Sequence, residues 1–106
     1  VIAGGDTLAG YVAAHGRAPA FEGADGRPYS VGVISDDDPG PDGRFGAALL
    51  FVRWSDAQKP EGHLETGYLA WAASPEEAEE RVGRMTLAEV KRALDAAIAA
   101  RAGTEA

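Results

Sequence analysis

Arg44–Ser55, RFGAALLFVRWS, is the stretch that decides how this chain folds. Successive side chains of a strand point to opposite faces. Phe45, Ala47, Leu49 and Phe51 therefore fall on one side, and Gly46, Ala48, Leu50, Val52 and Trp54 on the other. Neither side is polar. The segment reads as a central strand with both faces covered.

Working outward, Pro28–Asp36 (PYSVGVISD) sets Tyr29, Val31 and Val33 against Ser30, Gly32 and Ile34, a second strand. His63–Ala72 (HLETGYLAWA) reads as a third, and Ala18–Glu22 as a short fourth. Asp25-Gly26 and Asp42-Gly43, each followed by Arg, are hairpin-turn pairs, because both residue types tolerate a left-handed backbone. The C-terminal third switches to helical spacing. Ser74 caps a helix, Pro75 takes its first position and Glu77 completes a capping box. Thr86 and Glu89 form a second capping box, followed by one apolar stripe of Leu87, Val90, Leu94, Ala97 and Ile98. Near the start, Leu8, Tyr11 and Val12 share the face of a short helix, capped by Asp6 or Thr7 and ended by Gly16, with His15 in its last turn.

The expected fold is α+β: an antiparallel three- to four-stranded meander, a short N-terminal helix, and two C-terminal helices packed on one sheet face. One domain spans residues 1–106, with 1–5 and 103–106 expected to be loose. A short N-terminal helix is a poor cover for the second face of the central strand. A second copy of the chain is the natural one, so a homodimer is expected.

Composition narrows the partners. Acids outnumber Lys and Arg by 17 to 10, for a formal net charge of −7, and lysine occurs only at positions 59 and 91. Nucleic acid and anionic membranes are recognised by cationic surfaces, so neither is an expected partner. Domains that grip double-stranded RNA use a similar order of elements. They do so with a basic helix start, whereas Ser74–Glu80 is acidic here. A basic protein remains a possible partner. The longest apolar run, residues 46–52, falls well short of the ~20 residues of a membrane-spanning helix. No cysteine is present, which removes disulfides and thiolate chemistry and fits a cytoplasmic location. Abundant Ala, Gly and Arg with so little Lys suggest GC-rich bacterial coding.

Two groups of residues carry candidate chemistry. The loop Asp36–Gly43 (DDDPGPDG) holds Asp36, Asp38 and Asp42, hard oxygen ligands of the kind calcium takes. Counting a calcium loop from Asp38 puts Asp42 and Gly43 in their proper fifth and sixth places. Gly40 and Leu49 then stand where the third and twelfth places need ligands. A solvated turn explains the loop as well, so no metal or other cofactor is expected. The second group is Arg53, Trp54, His63 and Glu65. His63 and Glu65 share a strand face, Arg53 lies on the preceding strand, and Trp54 could wall a pocket. Together they would supply a base, an acid and an anion anchor, or merely exposed cross-strand charge pairs. No nucleophile-elbow, phosphate-loop or dinucleotide motif is present. The leading functional expectation is a non-catalytic domain for protein interaction or self-association. The alternative is a small-ligand-binding protein or enzyme with a pocket between sheet and helices using His63, Glu65 and Arg53.

Overall fold

The computed structural model of the chain describes residues 7–105, with side chains as far as Arg101. Of the loose ends expected at 1–5 and 103–106, residues 1–5 and 106 lie outside the described residues, whereas 103–105 continue the last helix instead of fraying. The elements run α1 (Leu8–His15), β1 (Ala20–Glu22), β2 (Pro28–Ser35), β3 (Phe45–Trp54), β4 (Pro60–Glu65), β5 (Ala70–Ala72), α2 (Pro75–Gly83) and α3 (Leu87–Glu105). This is the α+β order anticipated, with helices before and after one antiparallel sheet.

β3 is the centre of that sheet. β2 pairs along one edge, from Tyr29 opposite Arg53 to Ser35 opposite Ala47. β4 and β5 share the other edge, and β1 lies outside β2. The single strand expected at His63–Ala72 is in fact two. β4 places Glu65 opposite Leu50, and continuing that register would set Tyr68 opposite Ala47. Ala70 stands there instead, so two residues are looped out. Thr66 makes the break possible. Its hydroxyl accepts from Leu49 N (3.0 Å) and donates to the Gly67 carbonyl (2.8 Å). The Tyr68 ring then lies across Gly46, where an added Cβ would sit 2.6 Å from the ring.

The helices begin where their caps dictate. Thr7 accepts from Gly10 N at 2.9 Å, and Ser74 from Glu77 N at 3.2 Å. Thr86 and Glu89 satisfy each other's backbone N–H reciprocally, at 3.1 and 2.8 Å. α1 docks on the α2–α3 corner rather than on the sheet, through Leu8 N to the Met85 carbonyl (2.9 Å) and an isolated bridge between Thr7 and Thr86.

All the helical covering therefore falls on one side. Tyr29, Val31, Ala47, Leu49, Phe51 and Ala72 face the helices and close a core with Leu8, Ala78, Val82, Val90 and Leu94. The second face of β3 was expected to be covered as well. Within one chain it is covered only at one end, where Gly46 and Ala48 are buried beside the Tyr68–Trp71 ring pair. Further along, Leu50, Val52 and Trp54 are half-buried, with Ile34 on β2 half-buried opposite Ala48.

Candidate functional site

The register of β3 and β4 separates the sequence-predicted site residues. Arg53 stands opposite Gly62, whereas His63 stands opposite Val52 and Glu65 opposite Leu50. Directly opposed residues share a face, so Arg53 projects to the helix side and His63 and Glu65 to the open side. Trp54 joins the open side, its indole N–H donating to Ser30 Oγ at 2.9 Å. His63, Glu65 and Trp54 are thus brought to one surface, and Arg53 is turned away from them.

The open side is a strip with a broad, open depression of about 390 Å³ lined by Leu50, Val52, Pro60, Gly62, His63 and Glu65. Ile34, Leu50, Val52 and Trp54 form its apolar middle, and Gly32, opposite Leu50, leaves a dip in which an added Cβ would meet nothing within 4 Å. Glu22 lies toward one edge, and His63 and Glu65, both exposed, toward the other. Arg53 is the only Arg or Lys in any of the five strands, and it faces away. The strip therefore carries carboxylates and one imidazole at its rim, with no strand cation.

The helix side holds a cleft of about 310 Å³ at the end of the sheet nearest the β3–β4 turn. Tyr29 and Arg53 form its floor, and Leu64 and Ile98 its apolar walls. A shift of register between Arg53 and Trp54 brings Glu61 toward Arg53, with Oε1 at 3.2 Å from Nε. The same oxygen is held by Arg27. Glu61 raises the Arg27 pKa, first by that hydrogen bond and then by its charge. The Tyr29 hydroxyl donates to Asp25 Oδ2 at 2.8 Å. Burial, and then that bond, hold the phenol above its ordinary pKa, so it stays neutral near pH 7. Arg101 crosses the rim and donates to the His63 carbonyl at 2.9 Å. His63 touches this cleft, while its position on β4 sends its ring to the opposite face.

Tyr29, Asp25, Glu61 and Arg101 were not singled out from the sequence. Tyr29 read as one more apolar position of its strand. Glu61 lies before the strand expected to begin at His63, and nothing in the spacing links Arg101 to a strand nearly forty residues earlier.

The acidic loop folds on itself. Asp42 accepts from Arg44 Nε (2.8 Å) and Arg44 N (3.1 Å). The Arg44 side chain is the main cause of its lowered pKa. Asp36 takes the hydroxyl of Tyr68, and Asp38 is exposed. Among the described residues, no three His, Cys, Asp or Glu side chains gather as a metal site would need. No helix among them is long and apolar enough to cross a membrane. Comparison with protein-family models, curated proteins and solved structures finds no match to this chain.

Proposed function

We propose that this domain acts without catalysis, through protein contact, and that it pairs with a second copy of itself across the open face of its sheet. The observation that carries this reading is the row Leu50, Val52 and Trp54, half-buried on a face to which no helix is assigned. The strip runs about 20 Å along β3 and about 15 Å across the strands, from the usual rise and strand spacing. Two such strips, each about 300 Å² in outline, would bury roughly 600 Å² together, below the ~1,000 Å² of a stable specific interface. The pair should therefore dissociate at working concentrations. Like charges at the rim, Glu22 and Glu65, weaken it further, so added salt should strengthen pairing by screening them. A reducing cytoplasm suits a chain without cysteine.

Sedimentation equilibrium from about 1 µM to 1 mM tests the proposal. A monomer–dimer equilibrium is expected, together with loss of the dimer in Val52→Lys. A wild-type chain that stays monomeric throughout, or a Val52→Lys variant that pairs as well, would refute it. The absence of strand cations on the same strip favours one second reading, a basic protein as the partner. In that case the chain alone is monomeric, and salt weakens the complex instead of strengthening it.

A further inference from the structure

We infer that the cleft on the helix side, independently of any pairing, is a binding site for a small organic carboxylate with a hydrocarbon body. The argument starts from an unsatisfied donor. Among the described residues, Arg53 Nε is the one buried side-chain nitrogen or oxygen without a hydrogen bond. Glu61 Oε1 stands 3.2 Å away, close enough for an ion pair but off the N–H line. Buried polar groups in folded proteins are nearly always satisfied, and exceptions concentrate at working sites.

A guanidinium presents Nε–H and Nη–H as a planar fork that fits both oxygens of one carboxylate. Glu61 approaches that fork without a hydrogen bond to Nε, while the same oxygen pairs with Arg27. A ligand carboxylate that displaces Glu61 from the covered Arg53 Nε can meet the fork in plane, while Glu61 keeps Arg27 as its partner. Beyond the fork the walls are Leu64 and Ile98, suited to methylene or ring carbons. Arg101 at the rim adds a second positive group. The cleft, about 310 Å³, has the volume of about ten water molecules at ~30 Å³ each, which sets the ligand near that many heavy atoms. Asp25 and Glu61 in the same cleft exclude di- and polyanions, whose second charge would face a carboxylate.

The test uses the intact chain and two probes with the same six-carbon chain, hexanoate and hexanol, followed by ¹H–¹⁵N correlation spectra that include the arginine Nε–H signals. Hexanoate should shift the Arg53 Nε–H and the amides of Gly62, Leu64 and Ile98, saturating in the millimolar range. Hexanol should leave the Arg53 signal in place. Arg53→Lys keeps the charge and loses the fork, and should weaken hexanoate binding by about tenfold or more. The inference is overturned if hexanol moves the Arg53 signal as far as hexanoate does. It is equally overturned if hexanoate moves none of these signals up to about 50 mM, or if Arg53→Lys binds as tightly as the parent chain.

Discussion

Leu49 and Leu50 are adjacent, chemically identical, and on opposite faces of β3, so truncating each to Ala measures the two faces separately. Leu49 is 0% exposed, within the cluster that includes Val82 and Leu94. Its isobutyl group cannot be removed without leaving a cavity, and Leu→Ala at such sites costs about 2–5 kcal/mol. Leu50 is half-buried and closes no cavity. Three carbons at ~0.8 kcal/mol each when fully buried, discounted by roughly half, give about 1 kcal/mol. With a urea dependence of about 1–2 kcal/mol per M, Leu49→Ala should lower the unfolding midpoint by about 2 M, and Leu50→Ala by less than about 1 M. Pairing adds a further signature. Association stabilises the folded chain by mass action, so the cost of Leu50→Ala should grow between about 1 and 100 µM protein while that of Leu49→Ala stays level. Urea unfolding followed by tryptophan fluorescence at both concentrations provides the readout. Equal costs at the lower concentration would mean that the chain covers both faces by itself. A Leu50→Ala cost independent of concentration would remove the case for pairing.

Gln58 is the one non-glycine residue with positive φ (59°) among those described, so Gln58→Gly should raise stability by about 0.5–1 kcal/mol in urea unfolding, and a loss would refute the strain. Gly23 sits where a Cβ would lie 2.6 Å from Ile98 Cδ1 and 2.8 Å from Tyr29 Cε1. Gly23→Ala should therefore destabilise by about 1–3 kcal/mol, visible as a lowered Tm, unless the β1–β2 turn lifts off α3 freely. On the acid side, Asp42, Glu89 and Asp95 titrate below the ordinary carboxylate range, held down chiefly by the Arg44 side chain, the Thr86 backbone N–H and the Lys91 ammonium respectively. A depressed folded pKa gives stability that is present above about pH 4 and lost as pH falls through the folded value, and Glu89→Gln should flatten that loss in urea midpoints taken from pH 7 to 3. Tyr29 is shifted the other way, so its contribution is complete below about pH 10 and lost as pH rises through the folded value. Tyr29→Phe should make the alkaline decline shallower, and an unchanged decline would count against the burial of that phenol.

The architecture was legible because its signals were local. Alternation in β2 and β3, Ser74 with Pro75, and Thr86 with Glu89 each act within a few residues. The Asp-Gly turns were also readable, and they follow one plan: Gly23 N bonds to the Arg27 carbonyl and Gly40 N to the Arg44 carbonyl, with Gly26 and Gly43 at positive φ. Residues 55–59 build the same turn with Gln58 in the left-handed position, and no glycine announces it. The break between β4 and β5 was hidden for a different reason. It depends on Thr66 replacing a ladder partner of Leu49 and on Gly46 leaving room for Tyr68, a contact between segments twenty-two positions apart. Arg53, His63 and Glu65 looked like one group because strand proximity could be read, but register could not. A displacement of one residue would exchange every side chain between faces. Here the irregularity between Arg53 and Trp54 marks where the register changes.

That register would also let one strand carry both proposed tasks. The helix-facing positions of β3 are closed by Val82, Val90 and Leu94, and the series ends at Arg53, where the apolar core gives way to the cleft. The open-face positions end at Trp54, whose indole N–H is already satisfied by Ser30, so the ring can be covered by an apolar surface without stranding a donor. A strip meant only for water would not need that bond. It would also gain nothing from Gly32, which weakens a strand interior and here leaves a dip beside Leu50 that an incoming side chain could fill. The rim charges work in the opposite direction, since Glu22 and Glu65 lose hydration when any surface approaches and have no strand cation to compensate them. On the proposed reading, an apolar middle that favours contact and an acidic rim that limits it would make an interface that readily comes apart. The balance between them is set by ionic strength, and for that reason the sign of the salt effect separates a second copy from a basic partner.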